Sequence, residues 1–79
     1  MSEGSKRLLS TLMVLGAQSA EKALPIEEFA MKLGIGVSEL QPDLDRLAEA
    51  GYVATTRRGG SASVYLTGTG VITASSAYS

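Results

Sequence analysis

Apolar residues recur at helical spacing near the start of the chain. We predict a disordered terminus over residues 1–4 and a helix over residues 5–19, with Ser5 as its N-cap. The apolar face of this helix comprises Leu8, Leu9, Leu12, Met13, Leu15 and Gly16. The apolar run over residues 8–17 is shorter than the ~18–20 residues of a membrane span. Because polar residues follow it, we interpret it as a core helix rather than a signal peptide.

A second, shorter helix is bounded by residues that begin and end helices. Pro25 suits a first helical turn, and Gly34 is typical of a left-handed C-terminal position. The acidic pair Glu27 and Glu28 complements the helix dipole near the N-terminus. Apolar residues recur at i, i+3, i+4 and i+7, at Ile26, Phe29, Ala30 and Leu33. We therefore predict a helix over residues 25–33, preceded by a connection.

A third helix is predicted over residues 37–51, after the tight turn over residues 34–36. Its buried side comprises Val37, Leu40, Leu44, Leu47 and Ala48, and Gly51 suits a left-handed terminator. Two helices joined by a short glycine-containing turn form a helix-turn-helix. Pro42 leaves two alternatives for the helix start. A helix from Val37 loses one hydrogen bond at Pro42, whereas a helix from Gln41 has Pro42 in its first turn.

After the third helix the apolar period changes from helical to two. Residues 52–57 and 62–67 are rich in Tyr, Val and Thr and predict two strands. The pair Gly59-Gly60 between them suits a type I′ turn, which needs positive φ at both central residues. This turn predicts a wing hairpin over residues 52–67. Its register places Val53 opposite Leu66, Thr55 opposite Val64 and Arg57 opposite Ala62.

The last segment favours a short helix over residues 68–77, capped by Thr67. Two glycines and several β-branched residues weaken this prediction. The predicted fold class is therefore α+β: a winged helix-turn-helix with three helices, a two-stranded β-hairpin wing and a short C-terminal helix. At 79 residues the chain fits a single domain, over residues 1–79.

Composition excludes several kinds of chemistry. The chain has no cysteine and no histidine, so it lacks thiolate metal ligands and the commonest general base. We predict a non-enzyme with no catalytic residue, no metal site and no cofactor, in the cytoplasm. The formal net charge is −1, from seven basic and eight acidic residues. This charge argues against tight nonspecific binding to DNA, although a local basic patch can still serve.

The order helix, helix, helix, strand, glycine-rich wing, strand, helix resembles the winged helix-turn-helix superfamily of small transcriptional regulators. Three stretches carry the resemblance. They are LPIEEFAMKLGI for the second helix and turn, DLDRLAEAGYV for the recognition helix and first wing strand, and VYLTGTG for the second wing strand and last helix. Together they lie within about residues 5–75. The resemblance implies DNA binding, although the same fold also serves RNA-binding and protein-docking modules.

The hairpin tip is the leading candidate for a nucleic-acid contact. Arg57 and Arg58 flank Gly59 and Gly60, and arginine binds phosphate bidentately or enters a narrow minor groove. The alternative is a solvated turn whose charges serve solubility. Three further basic residues are candidates for phosphate contacts or are simply solvated charges: Lys6, Arg7 and Lys32.

The third helix gives a mixed signal. Ser38, Gln41 and Arg46 are candidates for reading bases or phosphates, as the resemblance implies for this helix. Alternatively Ser38 and Gln41 form a capping box, and Arg46 pairs with Glu49 or Asp43. The helix also carries four acidic residues, Glu39, Asp43, Asp45 and Glu49, which phosphates repel.

We therefore predict a DNA-binding regulator whose partner is double-stranded DNA and whose wing contacts the backbone or minor groove. A homodimer through the first and last helices is expected, because one such domain offers few phosphate contacts.

The alternative is a protein-docking module that uses the acidic third helix or an apolar face around Tyr65, Val71 and Tyr78. A third reading is one domain of a larger factor. No membrane contact is predicted.

Overall fold

The computed structural model describes residues 2–78, and side chains as far as residue 76. Along the chain its elements are α1 (Glu3–Val14), a 3-10 helix (Ala20–Lys22), β1 (Leu24–Pro25), α2 (Ile26–Leu33), α3 (Val37–Glu49), β2 (Val53–Arg58), β3 (Ser61–Leu66) and α4 (Gly68–Tyr78). Within residues 2–78 the strands form one antiparallel sheet in the order β1, β3, β2. The helices and the hairpin wing follow one another in the predicted α+β order.

Helix α1 begins earlier and ends earlier than predicted. Ser2 is the N-cap, and its Oγ accepts the Ser5 backbone N–H at 3.1 Å. The predictions of a disordered start and of a Ser5 cap are therefore wrong for residues 2–4, while Met1 lies outside the described residues. The helix ends at Val14 rather than residue 19, because Gly16 adopts a left-handed conformation with φ of +77°.

Helices α1, α2 and α3 each end at a left-handed glycine. Gly34 and Gly51 have φ of +74° and +85°, which confirms both predicted terminators. The residue after each glycine donates its backbone N–H to a carbonyl five residues earlier, as in a Schellman motif. These bonds are Ala17 to Leu12, Ile35 to Ala30 and Tyr52 to Leu47. Helix α3 thus ends at Glu49 instead of residue 51.

A short third strand was not predicted. β1 pairs with β3, with Leu24 opposite Val64 and Pro25 opposite Ser63. Pro25 has ψ of 136°, so it is extended and precedes α2 rather than forming its first turn. The sheet within the described residues therefore has three strands instead of the two predicted. The segment before it is also more regular than expected, since Ser19 caps the 3-10 helix by accepting the Lys22 N–H.

The wing hairpin has the predicted register. Val53 lies opposite Leu66, and the ladder extends to Arg58 opposite Ser61, one pair beyond the predicted strands. Gly59 and Gly60 form the two-residue turn, with φ of +56° and +85°. Positive φ at both positions is what a type I′ turn requires, and this confirms the turn prediction.

Helix α4 closes the fold against α1 and the start of the hairpin. Thr67 caps it as predicted, because its Oγ1 accepts the Gly70 N–H at 3.0 Å. Gly70 lies so close to Tyr52, the residue before β2, that an added Cβ would stand 1.8 Å from its carbonyl oxygen. The core between the helices and the sheet is mainly aliphatic. Its largest fully buried side chains are Leu9, Leu12, Phe29, Leu40, Leu44, Val64 and Leu66.

Candidate nucleic-acid interface

Both wing arginines donate a hydrogen bond to a backbone carbonyl. The Arg57 Nη1 donates to the Gly60 carbonyl at 3.3 Å, within the hairpin turn. The Arg58 Nη2 donates to the Ala20 carbonyl at 2.8 Å, which joins the wing to the 3-10 helix. Both side chains are exposed, as are Gly59 and Gly60. Because a guanidinium has five N–H donors, each arginine retains donors for an anion.

A groove separates the wing from the first turns of α2 and α3. Its volume is about 250 Å³. It brings together three predicted site residues, Gln41 of α3 with Arg57 and Gly60 of the wing. The groove is lined by Pro25, Ile26, Glu27, Val37, Gln41, Arg57, Gly60, Ser61 and Ala62. The lining of the groove therefore offers a bound group both hydrogen-bond donors and an apolar wall.

The predicted capping box at the start of α3 is wrong. Helix α3 begins at Val37 with Gly36 as its N-cap, and among the described residues no side chain caps it. Ser38 is therefore a first-turn residue, exposed to solvent. The Gln41 Nε2 instead donates to the Asp45 Oδ1 at 2.9 Å, one turn further along the helix. This i, i+4 spacing was visible in the sequence.

Pro42 lies inside α3, which decides between the two alternatives for the helix start. A proline has no backbone N–H, so the Ser38 carbonyl receives no i+4 hydrogen bond from this position. The Pro42 ring is exposed. The helix is thus regular enough to continue through the proline, but its front half has a weaker backbone ladder.

Arg46 pairs with Asp43 on the same helix, one of the two partners predicted for it. The Arg46 side chain is 72% exposed, so solvent screens this pair strongly. Two of the four acidic residues of α3 therefore have a partner on the helix itself: Asp43 with Arg46 and Asp45 with Gln41.

The remaining predicted basic residues lie away from the wing groove. Arg7 and Lys32 line a second, mostly apolar groove between α1 and α2, with a volume of about 300 Å³. The Arg7 Nη2 donates to the Leu33 carbonyl at 3.4 Å. The Lys6 ammonium lies 3.8 Å from the Glu3 carboxylate. The ten candidate residues thus do not form one continuous surface lining.

Neither a metal-binding cluster nor a membrane-spanning helix is present in the described part of the chain. Residues 2–78 contain no group of three or more His, Cys, Asp or Glu side chains arranged to hold a metal ion. None of the helices described has the length and apolar character needed to cross a bilayer.

No known family model matches the chain. Among curated proteins, the chain is 40% identical over 53 residues to a UPF0761 membrane protein of Neisseria meningitidis serogroup B. The match covers 66% of this chain and 13% of that protein. The corresponding protein of serogroup A matches to the same extent. The chain therefore spans about an eighth of the length of these relatives.

Solved structures match nearly the whole chain. TubR from Bacillus megaterium pBM400 has a TM-score of 0.89 at 20% identity, covering 99% of this chain and 87% of that one. A mutant MarR from E. coli complexed with operator DNA has a TM-score of 0.83 at 18% identity, covering 99% and 54%. CouR bound to a 23-mer DNA duplex has a TM-score of 0.72 at 29% identity, covering 89% and 49%. The chain therefore has the winged helix-turn-helix fold, as predicted.

Proposed function

We propose that this chain is a DNA-binding winged-helix module of a transcriptional regulator, and not an enzyme. The observation that carries the proposal is the groove that gathers Arg57 and Gly60 of the wing with Gln41 of α3. A wing arginine binds phosphate while the neighbouring helix approaches base edges. The likeness to MarR complexed with operator DNA and to CouR bound to a DNA duplex supports the proposal.

The remaining basic residues have secondary roles in this proposal. Arg58 contacts the backbone beside Arg57, and the glycine pair lets the wing approach closely. Lys6, Arg7 and Lys32 are assigned to phosphates from outside the wing groove, and Arg46 and Ser38 to the exposed side of α3. The module acts in the cytoplasm and as a homodimer.

The test measures binding to a fluorescently labelled random-sequence duplex of about 30 base pairs by anisotropy at increasing salt. We expect affinity to fall with salt with a slope of about two or three phosphates per protomer. The double change Arg57→Ala with Arg58→Ala removes most of this binding, because it deletes the wing's phosphate contacts.

The matched comparison uses single charge deletions. Lys22→Ala removes one exposed positive charge from the 3-10 helix, whereas Arg57→Ala removes one from the wing. Arg57→Ala should weaken binding more, since Lys22 does not line the groove. Equal effects, or binding that survives the double change, would contradict the wing's role. No binding at low salt would contradict the proposal as a whole.

A second candidate function is a protein-docking module, one domain of a larger protein. The specific observation that favours it is the match to UPF0761 membrane proteins, of which this chain spans only a small part. The four acidic residues of α3 suit a basic partner surface. The other predicted docking face includes Tyr65 and Val71, which are half-buried against the core, and Tyr78, whose side chain lies outside the described residues.

The docking alternative has its own test. The change Asp43→Lys with Asp45→Lys reverses the charge of the middle of α3. Under this alternative the change abolishes capture of a partner in a pull-down from the source cell. Capture that is unchanged, while the Arg57 and Arg58 variants lose duplex binding, would leave DNA as the ligand.

A further inference from the structure

Gln41 and Asp45 form a hydrogen bond on α3 that fixes the orientation of the Gln41 amide. The Gln41 Nε2 lies 2.9 Å from the Asp45 Oδ1. An ionised carboxylate only accepts hydrogen bonds, so Nε2 rather than Oε1 must face Asp45. In a free glutamine the two ends of the amide exchange places by rotation. Asp45 therefore selects one of the two orientations.

The bond leaves Gln41 with one donor and one acceptor. Nε2 carries two hydrogens and donates one of them to Asp45, while Oε1 remains free to accept a hydrogen bond. A donor beside an acceptor matches the major-groove edge of adenine, whose N7 accepts and whose N6 amino group donates. Guanine presents two acceptors on that edge, N7 and O6. Its O6 would face the Gln41 Oε1, and no hydrogen bond would form because both oxygens are acceptors. An oriented Gln41 thus discriminates adenine from guanine.

The position of Gln41 suits a base edge. It lines the groove with Val37, one turn earlier on α3, and with Arg57 and Gly60 on the wing. Val37 is 40% exposed and offers apolar contact. Arg57 on the opposite wall suits a phosphate. A duplex that lies across the wing and the front of α3 therefore meets Gln41 at a base edge and Arg57 at its backbone.

We propose that Gln41 reads an adenine in the major groove and that Asp45 is its positioning residue. This inference rests on the proposed function and deepens it by naming the base. It also gives Asp45 a role on a helix where negative charge otherwise opposes DNA. Because phosphates repel the Asp45 carboxylate, Asp45 lowers general affinity while it raises discrimination. Those two effects have opposite signs and can be measured separately.

The experiment selects duplexes from a randomised pool and then measures the affinity of the selected sequence. We expect one selected position to be adenine in the wild type. Guanine at that position lowers affinity by roughly 5- to 150-fold, as for a bidentate base contact. 7-Deazaadenine, which has C–H in place of N7, also lowers it. Gln41→Ala binds all three duplexes with equal affinity.

The Asp45 variants separate positioning from charge. Asp45→Ala should bind random duplex more tightly than the wild type and lose most of the preference for adenine over guanine. Asp45→Asn also gains affinity and keeps only part of the preference, because the Asn amide can either accept from the Gln41 Nε2 or donate to its Oε1. Glu49→Ala is the charge control: it removes a carboxylate near the end of α3 and leaves the preference unchanged.

The failures of the two proposals are distinguishable. If the wild type binds random duplex but selects no adenine, or if Gln41→Ala keeps the preference, the inference is overturned and the proposed function stands. If Asp45→Ala keeps the preference, the positioning role of Asp45 is overturned. If no duplex binds at low salt, the proposed function fails and the inference fails with it.

Discussion

Gly70 is the residue where the fold leaves least room. An added Cβ would stand 1.8 Å from the Tyr52 carbonyl oxygen and 3.2 Å from the Leu66 Cδ2. The same carbonyl accepts the Thr67 N–H at 3.1 Å, so the start of α4 and the entry to β2 are tied together. The sequence suggested only that this glycine weakens a helix. The structure shows that α4 can pack here because position 70 has no side chain.

Gly70→Ala should therefore destabilise the protein, by at least the ~1–3 kcal/mol typical of overpacking, even though alanine is the better helix former. Gly68→Ala is the control, because an added Cβ there meets no atom within 4 Å. It should be neutral or raise stability by up to about 1 kcal/mol. Urea unfolding followed by far-UV circular dichroism measures both. Equal midpoints for Gly70→Ala and the wild type would contradict the close approach.

At the scale of elements, the sequence predicted the segments that have a regular apolar repeat or a glycine that ends a helix or forms a turn. Helices α2 and α3 and the hairpin each combine several apolar positions with a terminal or turn glycine. β1 has two residues, too few for any period, and it exists because β3 has a free edge for it. The end of α1 was missed because the apolar pattern runs on past Gly16, whose left-handed φ overrides it.

The candidate site was less predictable than the fold for a related reason. Residue types alone identified the wing arginines and Gln41, but side-chain partners depend on distances across the chain. The Arg58 bond to Ala20 joins residues 38 positions apart, so no local pattern indicates it. The bond from Gln41 to Asp45 is local, yet its spacing competed with a capping box that needs a different helix start.

Helix α3 offers a prediction on the energetic effect of Pro42. Within a helix, proline is about 3 kcal/mol less favourable than alanine, through the missing N–H and ring clash. Because the Pro42 ring is exposed, Pro42→Ala removes few packing contacts. We expect an increase in stability of roughly 1–3 kcal/mol, seen as a higher urea midpoint with an unchanged m value. Glu39→Ala, also exposed on α3, removes a favourable charge from the first turn and should instead lower stability slightly, by less than about 1 kcal/mol. A loss of stability for Pro42→Ala would mean that the ring packs favourably.

For the whole molecule, charge and size constrain how the proposed DNA binding can occur. Seven basic and eight acidic residues leave a net charge of −1, so no broad positive field draws the molecule to DNA. The basic residues also lie in separate places, at the wing, at the groove between α1 and α2, and near the N-terminus. One copy therefore offers few side chains for the proposed phosphate contacts. Two copies on one duplex double them without any change in the chain.

The expected homodimer uses α1 and α4, which pack together within one copy. Both helices carry an exposed apolar residue: Ile72 of α4 is 71% exposed, and Val14 of α1, beside the groove to α2, is 65% exposed. We expect sedimentation at ~100 μM to give a dimer, and Ile72→Asp to shift it to monomer. Met31→Asp is the matched control, because Met31 is 78% exposed but lies on α2.

A wild-type monomer at this concentration, or equal effects of the two aspartates, would contradict an interface on α1 and α4. Tight duplex binding by such a monomer would require one copy to supply all the phosphate contacts.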